Sequence, residues 1–141
     1  MNFLKSLDTS ASGLYAERRR MDIIASNLSN IETTRTKEGG PYRRKMVVMS
    51  TKEIDQNFDV VFNNSVQGVQ IDEIVEDKTP FKKVYNPGHP DADKDGYLLK
   101  PNVDLVVETT NLMMARRAFE ANIAAIKATR QMILKALEIG R

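Results

Sequence analysis

The sequence predicts a mainly α protein: long N- and C-terminal helices packed as an antiparallel coiled-coil-like pair, with a small irregular β or extended middle segment. Three observations carry this. The stretch from Val103 to Ile139 contains no Gly or Pro. Both chain ends repeat apolar residues every seven positions, the spacing that favours supercoiling against a partner helix. Aromatics make up only 6% of the 141 residues and Trp is absent, which suits an elongated helical body better than a globule.

At the N-terminus, Leu7, Leu14, Met21 and Leu28 step by sevens, with Phe3, Ile24 and Ile31 widening the stripe and Ala11 and Ala25 beside it. A helix from Phe3 to Ile31 follows. Gly13 reads as a weak spot costing about 1 kcal/mol against Ala. Ser6, Asp8, Thr9 and Ser10 offer several caps, so the first turns are expected to fray before assembly. The first segment is taken as residues 1–32, the N-terminal helical segment.

Residues 33–101 form a different segment. Thr33, Thr34, Thr36, Gly39, Gly40 and Pro41 cannot continue a helix. Tyr42 to Met49 and Phe58 to Phe62 read as short strands. Val69 and Ile71 alternate with Gln70 and Asp72, after which Ile74 and Val75 shift phase. From Lys78 to Pro101 the chain is rich in Pro and Gly, and a semi-rigid strap is expected.

Residues 102–141 make the last segment, with Asn102 at the N-cap and Gly140 as the stop. Its central row is Leu105, Leu112, Phe119, Ile126 and Ile133. Ala115, Asn122, Thr129 and Ala136 flank it on one side and Ala118, Ala125, Met132 and Ile139 on the other. Such a helix spans about 55 Å, so something long must lie beside it. Met113, Met114 and Met132 read as ordinary packing. Asn122 and Thr129, polar within the seam, suit either core tolerance or selection of register.

Composition excludes several classes of function. Net charge is +2 and the Lys and Arg residues are dispersed, so no field implies nucleic acid. Arg18-Arg19-Arg20 and Arg43-Arg44-Lys45 are read as a solvated helix face and strand edge rather than a site for an acidic or lipid partner. There is no Cys, and His89 is the sole histidine, so one chain cannot build a His/Cys metal cluster or a cysteine nucleophile. Asp91-Ala92-Asp93-Lys94-Asp95-Gly96 opens like a calcium loop, but its twelfth position is Asn102 rather than Glu and Pro90 precedes it, so an acidic surface turn is the better account. No phosphate-binding loop follows a strand, and Glu73 and Glu76 have no sign of a pocket around them. No enzyme, cofactor, metal or small-molecule substrate is expected. The N-terminus lacks the apolar core of a cleavable signal peptide, so any export is by an unconventional route.

Several stretches together resemble the bacterial flagellar axial proteins, and among them the rod proteins of the basal body. They are Ala25-Ser26-Asn27-Leu28-Ser29-Asn30 with Thr33-Thr34, then Pro41-Tyr42-Arg43-Arg44-Lys45, Pro80-Phe81-Lys82 and Asn86-Pro87-Gly88-His89-Pro90-Asp91-Ala92-Asp93. Gly96-Tyr97, Pro101-Asn102-Val103, Arg117-Ala118-Phe119-Glu120-Ala121-Asn122 and Ala136-Leu137-Glu138-Ile139-Gly140 complete the match. Phe119 stands where the family often has Tyr, and Arg35 where longer axial proteins tend to carry Gly. The resemblance implies a structural subunit of the proximal rod, the drive shaft around the export channel. Its partners would be itself, other rod subunits, membrane-ring or rod adaptor proteins and, in transit, the flagellar type III export apparatus. The location implied is the basal body, in the rod that spans the periplasm. Asn27, Leu28, Asn30, Gly88, His89, Pro90 and Asp91 would be family-motif positions. The assembly contacts would be Leu7, Leu14, Met21 and Leu28 with Leu105, Leu112, Phe119, Asn122, Ile126 and Ile133. A soluble coiled-coil adaptor is the alternative from another class.

Overall fold

A computed structural model describes residues 3–53 and 67–139. Helix α1 runs Phe3–Ser29 and helix α2 Leu105–Ile139, and they pack on each other. Between them lie strands β1 (Lys45–Glu53), β2 (Gln67–Glu76), β3 (Lys82–Tyr85) and β4 (Tyr97–Lys100). The strands form two separate antiparallel pairs, β1–β2 and β3–β4. The mainly α architecture with a small β middle is therefore as the sequence predicts. Among the described residues, no helix is long and apolar enough to cross a membrane.

Helix α1 passes through Gly13 without a break and ends at Ser29 rather than Ile31, because Asn30 turns back on it. The Asn30 side-chain amide donates to the Ser26 carbonyl, and its Oδ1 accepts from the Thr33 hydroxyl. Side-chain bonds of this kind satisfy the orphan carbonyls of a last turn and divert the chain.

The first hairpin corrects two strand limits. β1 begins at Lys45, since Tyr42 to Arg44 are engaged by other partners, and it extends to Glu53. β2 is longer than the Val69–Ile71 alternation indicates. Met49 pairs with Ile71 but Val48 with Glu73, which leaves Asp72 as an extra residue. That bulge is the physical origin of the phase shift seen in sequence: it keeps Val69, Ile71 and Ile74 on one face, opposite Thr51, Met49 and Val47. The hairpin lies along α1, where the Ser12 hydroxyl accepts from the Val69 amide. The expected strand at 58–62 lies outside the described residues.

The expected strap is in fact a second hairpin. β3 and β4 pair from Lys82↔Lys100 to Tyr85↔Tyr97, and a loop of residues 86–96 joins them. Gly96 has φ +79°, and a Cβ there would lie 2.9 Å from the Tyr85 ring. Only glycine meets both conditions without strain. In this loop Asp93 Oδ1 accepts from the amides of Asp95 and Tyr97, the side-chain bonding expected of an acidic turn. Among the described residues no group of His, Cys, Asp and Glu could hold a metal ion.

Helix α2 starts at Leu105, not Val103, and its cap is Asp104, whose Oδ1 accepts from the Val106 and Val107 amides. Those amides, the Val107 one foremost, and Lys82 hold the Asp104 carboxyl below its usual pKa. Asn102, expected to be the cap, is committed elsewhere.

Candidate functional site: the helix seam and its polar clamp

Three interhelical contacts define the register of the pair. Asn27 meets Glu108, Gly13 meets Asn122, and Ser6 meets Thr129 at 3.4 Å between hydroxyls. Each seven-residue step down α1 thus matches a seven-residue step up α2. The row at the centre of the seam is consequently Glu108, Ala115, Asn122 and Thr129, three of them buried and Asn122 half-buried against Gly13. Facing it on α1 the buried residues are Ser10, Gly13, Ala16, Ile24 and Asn27.

This moves the seam off the apolar row that the sequence places at its centre. Leu7, Leu14, Met21 and Leu28 are only half-buried, as are Leu112, Phe119, Ile126 and Ile133, and Leu105 is 57% exposed. The reason is steric. Small and polar residues at the centre allow the backbones to approach closely, and the bulky side chains are turned to the flanks, where they cover the seam on one side and face outward on the other. Met113, Met114 and Met132 are at least half exposed, so they do not pack within the chain as expected. Gly13 is no weak spot here: a Cβ on it would meet Asn122 Nδ2 at 2.8 Å.

The upper end of the seam is closed by a network that sequence reasoning missed. Asn27 is fully buried. Its Oδ1 accepts from the Lys45 amide at 2.9 Å and the Tyr42 hydroxyl at 3.0 Å. Its Nδ2 donates to the Lys45 carbonyl at 2.8 Å and to Glu108 Oε2 at 3.0 Å. All the hydrogen-bonding capacity of the amide is therefore used. Glu108, also fully buried, receives Arg44 on its other oxygen, from Nε at 2.9 Å and Nη2 at 2.8 Å.

Arg44 also reaches Asp77 Oδ2 at 3.2 Å, and its amide donates to Asn102 Oδ1 at 2.8 Å. Partial burial disfavours the Arg44 charge, but bonds to Glu108 and Asp77 outweigh it and raise the pKa above the usual value. The Thr79 amide, against the cost of burial, and then the Thr79 and Arg44 side chains hold the Asp77 carboxyl below its usual range. Arg43 lies 4.3 Å from the Phe81 ring centroid and donates to the Asp77 and Thr79 carbonyls. Arg43 and Arg44 are thus structural glue within the chain rather than a solvated strand edge, and Lys45 joins the clamp through its backbone. A signal for Glu108 existed: one heptad before Ala115, it continues the flanking row of Ala115, Asn122 and Thr129.

The family-motif positions divide between two places. Asn27, Leu28 and Asn30 belong to the clamp end of α1. Gly88, Pro90 and Asp91 are exposed on the β3–β4 loop, with His89 half-buried. There His89 Nδ1 accepts from the Asp91 amide, and Asp91 Oδ2 accepts from the Thr34 hydroxyl at 2.8 Å, tying the loop to the segment after α1.

Two terminal helices forming one antiparallel layer, with the middle segment clamped at one end, describe an architectural subunit. Comparison with known proteins gives that class a name, the flagellar basal-body rod proteins. Residues 7–37 match the family described as flagella basal body rod protein, and residues 94–139 the flagellar basal body rod FlgEFG protein C-terminal family. Flagellar basal-body rod protein FlgC of Bacillus subtilis is 44% identical over 152 aligned positions, covering 100% of both chains. FlgC of Borreliella burgdorferi is 38% identical over 99% of this chain and 98% of its own, and FlgC of Salmonella typhimurium 37% identical over 100% of both. The chain belongs to the FlgC family of flagellar basal-body rod proteins, and with that family it is a structural component of the flagellar basal body.

Proposed function

We propose that this chain assembles helically into the proximal rod, where it surrounds the export channel and transmits torque toward the hook. The observation that carries the reading is similarity to rod proteins over the full length, 44% identical in one of them, in a molecule whose helix pair leaves its apolar rows half covered. Leu7, Leu14, Met21 and Leu28, with Leu105, Leu112, Phe119, Ile126 and Ile133, have surface left for neighbouring subunits. Burying each contributes about 1.5–3 kcal/mol. Non-identical head and tail surfaces do not close a dimer but climb a helix. Partners in this reading are other rod subunits, membrane-ring or rod adaptor proteins and, in transit, the type III export apparatus. The location is the rod across the periplasm.

The test is deletion of the gene with electron cryotomography of basal bodies and a swimming assay with complementation. Loss of the rod with the membrane ring still present is expected, and Leu112→Asp is expected not to complement. Intact rods and normal swimming in the deletion strain would overturn the reading.

A further inference from the structure

Helix α2 is longer than its partner. The register that sets Ser6 opposite Thr129 places Phe3 level with Met132, and α2 continues from Ile133 to Ile139. Leu134, Leu137 and Glu138 share one face of that extension at i, i+3 and i+4. Leu134 is half exposed, Leu137 65% and Ile139 86%. At the other end of the molecule, α1, β1 and the start of α2 enclose a groove of about 350 Å³. Ile23, Met46, Val47 and Met49 contribute its apolar lining, with Arg20 and Lys45 beside them.

We propose that the α2 extension of one copy docks in this groove of a second copy. The extension cannot fill its own groove: Asn111, which lines it, is about 40 Å along the helix from Leu137. An amphipathic helix end inserted into an apolar groove is a recurrent recognition mode, and methionines let the groove adapt to leucine. Charge points to the same occupant. The extension brings Glu138 and the negative end of the α2 dipole to Arg20 and Lys45. Neither side is firmly committed: Glu138 is held by Lys135 in an exposed pair, and Arg20 reaches Glu17 only at 3.8 Å, leaving Glu17 Oε2 buried without a hydrogen bond. Knob and groove are different surfaces at opposite ends, so the contact repeats without closing. The proposal rests on the rod reading and adds to it which surfaces of this chain meet.

Because the chain has no cysteine, disulfide linking tests it cleanly. The full chain carrying Leu137→Cys and Met49→Cys is oxidised as purified protein at high concentration and in basal bodies from complemented cells. A disulfide requires Cα atoms about 4.4–6.8 Å apart. The double variant is expected to give a ladder of linked copies, each single variant none, and a mixture of the two singles only a 1:1 dimer. Arg20→Glu is expected to lower the yield about threefold, with Glu138→Arg in the same chain restoring it. Dimers from Leu137→Cys alone, links only to a different protein, or motile cells without any link would overturn the docking while leaving the rod reading intact. The pair Leu134→Cys and Met46→Cys provides the same readout where the first fails a circular dichroism check of folding.

Discussion

Gly13 and Asn122 touch across the helix seam with no room for one more carbon: a Cβ on Gly13 would stand 2.8 Å from Asn122 Nδ2 and 3.2 Å from Cγ. An alanine in a helix is ordinarily worth about 1 kcal/mol over glycine. Here that gain is set against displacement of Asn122. Gly13→Ala is therefore expected to be neutral or to cost about 1 kcal/mol in the native background, and to stabilise by about 1 kcal/mol when Asn122→Ala has removed the obstruction. A urea-unfolding double-mutant cycle measures this coupling. Equal effects in the two backgrounds would show that the seam is looser than the structure has it.

Glu108 is the buried charge on which the clamp depends. Glu108→Ala leaves Arg44 without its main counter-charge and Asn27 Nδ2 with one bond fewer, and is expected to cost about 3–5 kcal/mol. Glu108→Gln can retain an acceptor for one of the two partners and is expected to cost less. Chemical denaturation of the three proteins gives the order; an alanine variant as stable as the parent contradicts the account.

The pH dependence follows from Asp77. Its folded pKa is depressed, so its contribution is complete above the unfolded value of about 3.9 and disappears as pH falls through the lower folded value. The stability gap between the parent and Asp77→Asn is expected to be constant from about pH 7 to pH 5 and to shrink below about pH 4. Unfolding midpoints measured across that range decide it, and a gap that widens in acid has the wrong sign.

Glycines with positive φ differ in their surroundings. Gly39 has φ +90° and nothing within 4 Å of a built Cβ, whereas Gly96 has φ +79° and meets both Tyr85 and Pro87. Alanine at either position carries the backbone cost of about 1–2 kcal/mol. Gly96→Ala is expected to cost at least 1 kcal/mol more than Gly39→Ala and to broaden the Tyr85 and Tyr97 ring resonances. Thermal melts and aromatic NMR spectra of both variants test this.

The helices were legible in the sequence because heptad spacing is a local signal, and so was the change of character after Asn30. The β2 bulge left its mark as a phase shift before the register explained it. The seam itself was not legible. Heptad logic ranks Leu112 or Phe119 above Glu108 and Gly13, since hydrophobicity marks what must be covered but not which row stands closest to the partner backbone. The clamp was hidden for a related reason: Asn27, Tyr42, Arg44, Asp77, Asn102 and Glu108 come from separate regions of the chain, and no periodicity links them. Asn102 looked like a cap because Asn suits that position, yet Asp104 lies two residues nearer the helix.

Both covalent links between the helix pair and the middle segment, residues 30–44 and 101–104, emerge at the same end, and the clamp sits between them. Mechanically the molecule is a bracket whose elbow lies at this end. A bending moment applied to the β hairpins reaches the helices through that elbow and, for β1–β2, also along α1, where the Val69 amide meets the Ser12 hydroxyl. A hinge of two loops would be compliant. Bracing it with the two-sided grip of Asn27 on the Lys45 backbone and the Arg44 fork on Glu108 makes stiffness, as much as stability, a property set by those few short bonds.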